Sequence, residues 1–380
     1  MHISTKYQNL KSNFSSTIAP LISEYNAINL ADGYTGFHCN SKLIGLVEKH
    51  LREGLNQIAP FQGEMALRKK LAIKTEELYS RTYQPQTEVT ITAGVQQAMF
   101  TAISALVKEG DEVIVFEPAN EYCVPAIQMN GAQPVYVPMK EPDFHIDWEQ
   151  VQMMINSKTR MIIINTPHNP TGWVMKEIDM LRLQRMVNGT KIVILSEETF
   201  EHIVFDEESH QSVALYPILA ERSIIIASFG ETYHVTGWQI GYCLAPEEIM
   251  REFRKVHQVM VQSVNSPFQL ALADFLSEKE EYKGLRKFYQ DRRAFFIDLM
   301  ESSKFKPIVS QGSFFQLFDF SEVSEEADKD FAIRLIKDRG VAVMPISAFM
   351  HEKSKRQVVR INYAQPDEIL IEAANRLKQL

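Results

Sequence analysis

Seven short runs rich in Ile and Val constrain this chain most: Val89–Thr92, Glu112–Phe116, Gln133–Val137, Met161–Asn165, Lys191–Leu195, Ser223–Ser228 and Gly241–Leu244. Most lack the polar alternation of a half-solvated strand. They suit strands buried on both faces, as in a parallel sheet covered by helices. Helical patterns lie between several of them, over Val95–Lys108, Lys176–Val187 and Glu247–Phe275. That order predicts an α/β domain.

At 380 residues the chain exceeds one typical core, and two domains are expected. Its last hundred or so residues change character. A long charged helix over Glu281–Ser302 precedes a strand at 312–320, a helix over Lys329–Arg339, strands at Val341–Met344 and Gln357–Ala364, and a terminal helix from Asp367. The expected division is an N-terminal arm (1–44) joining the small domain, a large α/β domain (45–280) with a mostly parallel central sheet, and a smaller C-terminal α+β domain (281–380).

A net charge of −8 without a long basic run argues against nucleic acid as a partner, because phosphate binding needs clustered cations. No apolar run reaches membrane-spanning length, so no membrane partner is expected. Cys39, Cys123 and Cys243 lie far apart with no C-x-x-C pair, which fits a reducing compartment and gives no metal-ligand pattern. The N-terminus lacks the apolar segment of a signal peptide, and a cytoplasmic location is expected.

An ordered set of motifs then narrows the reading. Thr92-Ala-Gly94-Val-Gln-Gln97-Ala98 precedes Gly110-Asp-Glu-Val-Ile-Val-Phe-Glu-Pro118. Asn165-Thr-Pro-His-Asn169-Pro-Thr-Gly172 and Ser196-Glu-Glu-Thr-Phe-Glu-His202 follow. Ser228-Phe-Gly-Glu231-Thr-Tyr-His-Val-Thr-Gly-Trp238-Gln, Gly312-Ser-Phe-Phe315 and Arg360-Ile-Asn-Tyr-Ala364 complete the series. The set resembles fold-type I aminotransferases of class I/II, particularly the methionine and kynurenine–oxoglutarate type, over roughly residues 28 to 380. This resemblance implies a pyridoxal phosphate site. Gly94, Val95, Gln96 and Ser228 would hold the phosphate and Asn169 the ring, while Arg360, Asn169, Gly33 and Glu197 would face the substrate. Read without the resemblance, Gly94 equally suits a tight strand–helix turn, Asn169 a turn before Pro170, and Arg360 an ordinary ion pair.

Several positions depart from the family pattern. Glu231 stands where the family has the lysine that forms the Schiff base, and a carboxylate cannot form an imine. The nearest lysines, Lys191 and Lys255, lie outside the segment, so no shift of register supplies one. Gln239 replaces a cation, Asn120 a stacking aromatic, Phe200 a tyrosine, Ile58 a tyrosine that reaches the neighbouring subunit, and Glu197 an aspartate. Cys123 and His234 fall near the pocket by the same resemblance.

Losing a cation, a stacking ring, two hydroxyls and the covalent bond, and adding an anion at 231, is expected to weaken the grip on pyridoxal phosphate by several orders of magnitude. The leading expectation is therefore an amino-acid-directed enzyme without a cofactor. In it Glu231, with Glu197 nearby, acts as acid/base or cation-binding group, and the proximity of two carboxylates raises one pKa. Two alternatives stay open. One is non-covalent pyridoxamine or pyridoxal phosphate with Glu231 as the base. The other is a non-catalytic protein that binds an amino acid or a partner. A homodimer is implied by the resemblance.

Overall fold

In the computed structural model, which describes residues 13–278, 280–352 and 356–380, a seven-stranded sheet forms the centre of the chain. Its strands lie in the order Val89–Thr92, Gly241–Leu244, Ser223–Ser228, Val193–Glu197, Thr159–Asn165, Glu112–Glu117 and Gln133–Pro138. Six run one way. Gly241–Leu244 opposes both of its neighbours. The expectation of a mostly parallel sheet holds, with this one reversal.

The missing polar alternation has a direct cause. Ile162, Ile164, Ile194 and Ile225 pack into one core, while Met161, Ile163, Leu195, Ile224 and Ile226 pack into another on the opposite face. Two apolar faces require apolar residues at every position. The fourth strand in the sheet begins at Val193 rather than Lys191 and runs on through Ser196 and Glu197. Propensity stops at those polar residues; the fold buries them because each has a partner or faces the site.

The helical pattern over Glu247–Phe275 divides into Glu247–Met260 and Ser266–Phe275. Asn265 is non-helical, and Pro267 sits in the first turn of the second helix, where its missing N–H is harmless. Similarly, the run Val341–Met344 splits. Val341–Ala342 pairs in parallel with Ile28–Asn29, and Met344–Pro345 joins an antiparallel four-stranded sheet with Val358–Asn362, Phe315–Asp319 and Lys306–Pro307. A third core, rich in Phe314, Phe318, Phe320 and Phe331, packs here and includes Leu30 from the N-terminal segment. The first twelve residues of the expected arm lie outside the described residues.

The sheet positions the site. Thr92, Asn165, Glu197 and Ser228 end parallel strands on one edge, and Gly241 opens the reversed strand at the same edge, paired with Thr92 and Ser228. Open α/β sheets bind ligands outside these carboxyl ends.

Candidate active site

A cavity of about 710 Å³ lies at that edge, between the large sheet and the antiparallel one. Every candidate site residue lines it: Gly33, Gly94, Val95, Gln96, Asn169, Glu197, Ser228, Glu231 and Arg360. Asn120, Phe200 and Gln239 line it as well. Ile58 does not; it is 67% exposed.

At one end of the cavity the lining is a helix N-terminus. The helix Gly94–Leu106 starts here, and its first-turn amides lack intrahelical acceptors. Gly94 has φ +79°, and a Cβ on it would come within 2.6 Å of Gln239 Oε1. The positive φ favours glycine, whereas the Gln239 side-chain end could move aside for a Cβ. Ser228 Oγ accepts from the Gly230 N–H at 2.9 Å. Gln239 donates to the Thr236 carbonyl at 2.7 Å and brings no charge.

The middle is a chain of hydrogen bonds. Asn165 donates to the Glu197 carbonyl at 3.0 Å and accepts from the Asn169 N–H at 2.7 Å. The Glu197 side chain is 3% exposed, and its Oε1 accepts from the Tyr122 hydroxyl at 3.3 Å. Burial lifts the Glu197 carboxyl to about 7; the Tyr122 hydrogen bond opposes the rise and the Glu231 charge adds to it. Glu231 opens the short helix Gly230–Tyr233, and its Oε2 is buried without a hydrogen-bond partner. Its carboxyl is likewise raised by burial, against a hydrogen bond to Ser228. Proximity of the two charges was expected to raise one carboxyl; both are raised, burial is the largest cause in each, and a neighbouring carboxylate contributes to Glu197.

Arg360 closes the far end from the strand Val358–Asn362. It donates through Nη1 to Asn169 Oδ1 at 2.7 Å and through Nη2 to the Ala31 carbonyl at 2.6 Å, and its Nε has no partner. Its guanidinium lies 3.9 Å from the Phe315 ring centroid and 4.9 Å from that of Phe349. Burial pulls its pKa down, while the charges of Glu121 and Asp32 hold it up. Asp32, Glu121, Glu197 and Glu231 are acidic, and Arg360 is the one cation among the described residues lining the cavity.

Two residues placed near the pocket have other surroundings. His234 Nε2 lies 3.0 Å from the Tyr289 hydroxyl and packs on Phe37, outside the cavity lining. Cys123 lines a separate cavity of about 30 Å³ beside Asn120 and Glu197, and burial pushes its thiol far from the reactive range. Tyr122, Asp32 and Glu121 were missed by the motif reading. Tyr122 did leave a signal: an aromatic residue lacking at 120 stands two positions later.

Comparison with known proteins gives the same direction. A family model described as aminotransferase class I and II matches residues 27–377. Methionine aminotransferase of Escherichia coli is 38% identical over 379 residues, covering 99% of this chain and 98% of that protein. Kynurenine–oxoglutarate transaminase of Dictyostelium discoideum is 30% identical over 402 residues, covering 95% and 92%. Among solved structures, the E. coli methionine aminotransferase superposes with a TM-score of 0.97 over 100% of both chains at 38% identity. N-succinyldiaminopimelate aminotransferase from Mycobacterium tuberculosis gives 0.96 over 100% of both chains at 28% identity. The α/β fold is therefore fold type I, with its smaller C-terminal domain. These relatives overturn the expectation of a cofactor-free site, because the family is built on pyridoxal phosphate and a cofactor of that kind is expected here. With family model, sequence and fold all agreeing over nearly the whole length, the chain belongs to the class I and II aminotransferases.

Proposed function

We propose that the chain acts on amino acids as an aminotransferase-family enzyme and holds pyridoxamine or pyridoxal phosphate without a covalent bond. In this reading Glu231 takes the place of the family lysine. The observation that carries it is the Glu231 carboxylate itself, lining one cavity with Asn169, Glu197, Ser228 and Arg360 and keeping a buried, unpartnered oxygen.

The residues fit the cofactor at two places and not at a third. The first-turn amides at Gly94–Gln96 and the Ser228 hydroxyl suit its phosphate. Asn169 and the buried Glu197 carboxyl suit its ring. A carboxylate at 231 gives no imine. Four acidic side chains against one guanidinium favour the pyridoxamine form, whose ammonium can pair with Glu231.

When bound, such a cofactor supplies an electron sink for charge developing at the substrate α-carbon. The protein does the rest. Arg360 holds the substrate carboxylate through its fork. Glu231, raised by burial, can hold a proton at Oε2 and exchange it with a group in the cavity. Phe200, Phe315 and Phe349 give the walls apolar surface.

The names of the relatives make methionine and kynurenine the first substrates to try. A homodimer belongs to the same reading. Ile58 and Val259 are 67% and 84% exposed, apolar side chains that a partner subunit could cover.

Native mass spectrometry after desalting and addition of pyridoxamine phosphate tests the proposal. The expected species is a dimer whose cofactor mass is lost on denaturation. Failure to bind the cofactor, or unchanged turnover in Glu231→Gln, overturns the reading.

A further inference from the structure

We propose that Tyr122 is a built-in competitor for the cofactor ring: its hydroxyl donates to the Glu197 oxygen that a protonated pyridine nitrogen would also seek. This rests on the cofactor reading above, in which Glu197 faces the ring.

Three observations place Tyr122 there. Its hydroxyl donates to Glu197 Oε1 at 3.3 Å. It lines the same cavity as Glu197 and Glu231, and both carboxylates act on it electrostatically. The hydroxyl has one proton to donate, and it gives it to Glu197, leaving Glu231 Oε2 without a donor. A ring nitrogen bearing a proton would satisfy Glu197 in the same way. The two donors would compete where they approach the same oxygen, Oε1, from the cavity.

The loop that carries Tyr122 is suited to move the ring while keeping its base. The Ala119 N–H donates to the Phe349 carbonyl at 2.8 Å, and the Cys123 N–H donates to the Asn120 carbonyl at 3.1 Å. Cys123 then starts the helix Cys123–Met129. Tyr122 itself stands outside that helix and lines the cavity, so rotation about its side-chain bonds would swing the hydroxyl away without unfolding either anchor.

The test compares the affinity of wild type and Tyr122→Phe for pyridoxamine phosphate by titration calorimetry. At 3.3 Å the hydrogen bond is long, so its loss should tighten binding by about five- to ten-fold. Binding to wild type should also give a tyrosine difference spectrum that the variant lacks. Equal affinity in the two chains, or weaker binding in the variant, overturns the competitor and leaves the cofactor reading intact. Absence of binding in both chains overturns the cofactor reading and the competitor with it. Tyr122→Leu, which removes the ring as well, makes the same comparison if the phenylalanine chain does not fold.

Discussion

Arg360 and Asn169, 191 positions apart, are joined by a 2.7 Å hydrogen bond from Nη1 to Oδ1. The contact ties the antiparallel sheet to the loop beyond the strand Thr159–Asn165 at the edge of the cavity. Arg360→Lys keeps the charge and loses the fork. Lysine cannot reach Asn169 and Ala31 together while presenting two donors to a substrate. The expected result is a rise in amino-acid KM of about 30- to 100-fold, roughly 2–3 kcal/mol. Pyridoxamine phosphate affinity should change much less. Steady-state kinetics with methionine, alongside a cofactor titration, reads both. An unchanged KM would remove Arg360 from the substrate site.

Behind the cavity, Lys74 Nζ meets Glu201 Oε1 at 2.5 Å, with the Tyr79 and Tyr242 hydroxyls also donating to that carboxylate. Both charged side chains are nearly buried. Lys74 depresses the Glu201 carboxyl far below its ordinary range against strong desolvation. Glu201→Gln leaves the Lys74 ammonium without its countercharge. Breaking a buried pair in this way is expected to destabilise the chain by about 3–5 kcal/mol. Chemical denaturation of the two proteins measures it, and a loss below about 1 kcal/mol would mean that water reaches the pair freely.

Glu197 gives stability a pH dependence of definite sign. Its folded carboxyl sits near 7 against an ordinary value of 4.5, so between those values the native chain binds the extra proton. Stability from this group is full below about 4.5 and is lost as pH rises towards 7. His168 and His202, each lowered to about 3 by burial, slope the opposite way as pH falls from 6.5. The difference between wild type and Glu197→Gln cancels those histidines. Relative to wild type, the variant should gain up to about 3 kcal/mol as pH rises through the Glu197 window. Melting temperatures of both chains across the window give the measurement; a flat difference would return Glu197 to an ordinary carboxyl.

Much of this architecture was legible in the chain because a strand buried on both faces cannot alternate, and Ile162–Ile164 and Ile224–Ile226 state that directly. Strand direction was not legible, since the apolar run Gly241–Leu244 reads alike either way; its reversal depends on pairing with Thr92 and Ser228. The break between Met260 and Ser266 was hidden because amphipathic spacing resumes in phase enough to suggest one helix. In the site, motif residues such as Asn169 and Arg360 were found from their neighbours in sequence. Tyr122 was not, because its relation to Glu197 is made by the turn at Asn120–Cys123 and by a strand 75 positions away.

Position 231 can be tested by giving it an amine. The side chain there lines the cavity with Ser228 and Asn169, so an ammonium at that position should reach an aldehyde bound in the same space. Glu231→Lys, incubated with pyridoxal phosphate and reduced with borohydride, is expected to carry the adduct at 231 when digested and mapped by mass spectrometry. Turnover should remain low, because Gln239 still brings no charge to the phosphate end. Adding Gln239→Arg should tighten pyridoxal phosphate by about two- to five-fold, since the side chain at 239 is exposed and solvent screens the charge contact. An adduct found only on surface lysines would show that residue 231 does not face the ring. Full transamination from the single Glu231→Lys change would show instead that the phosphate is held by the Gly94–Gln96 amides and Ser228 without help from a side-chain cation.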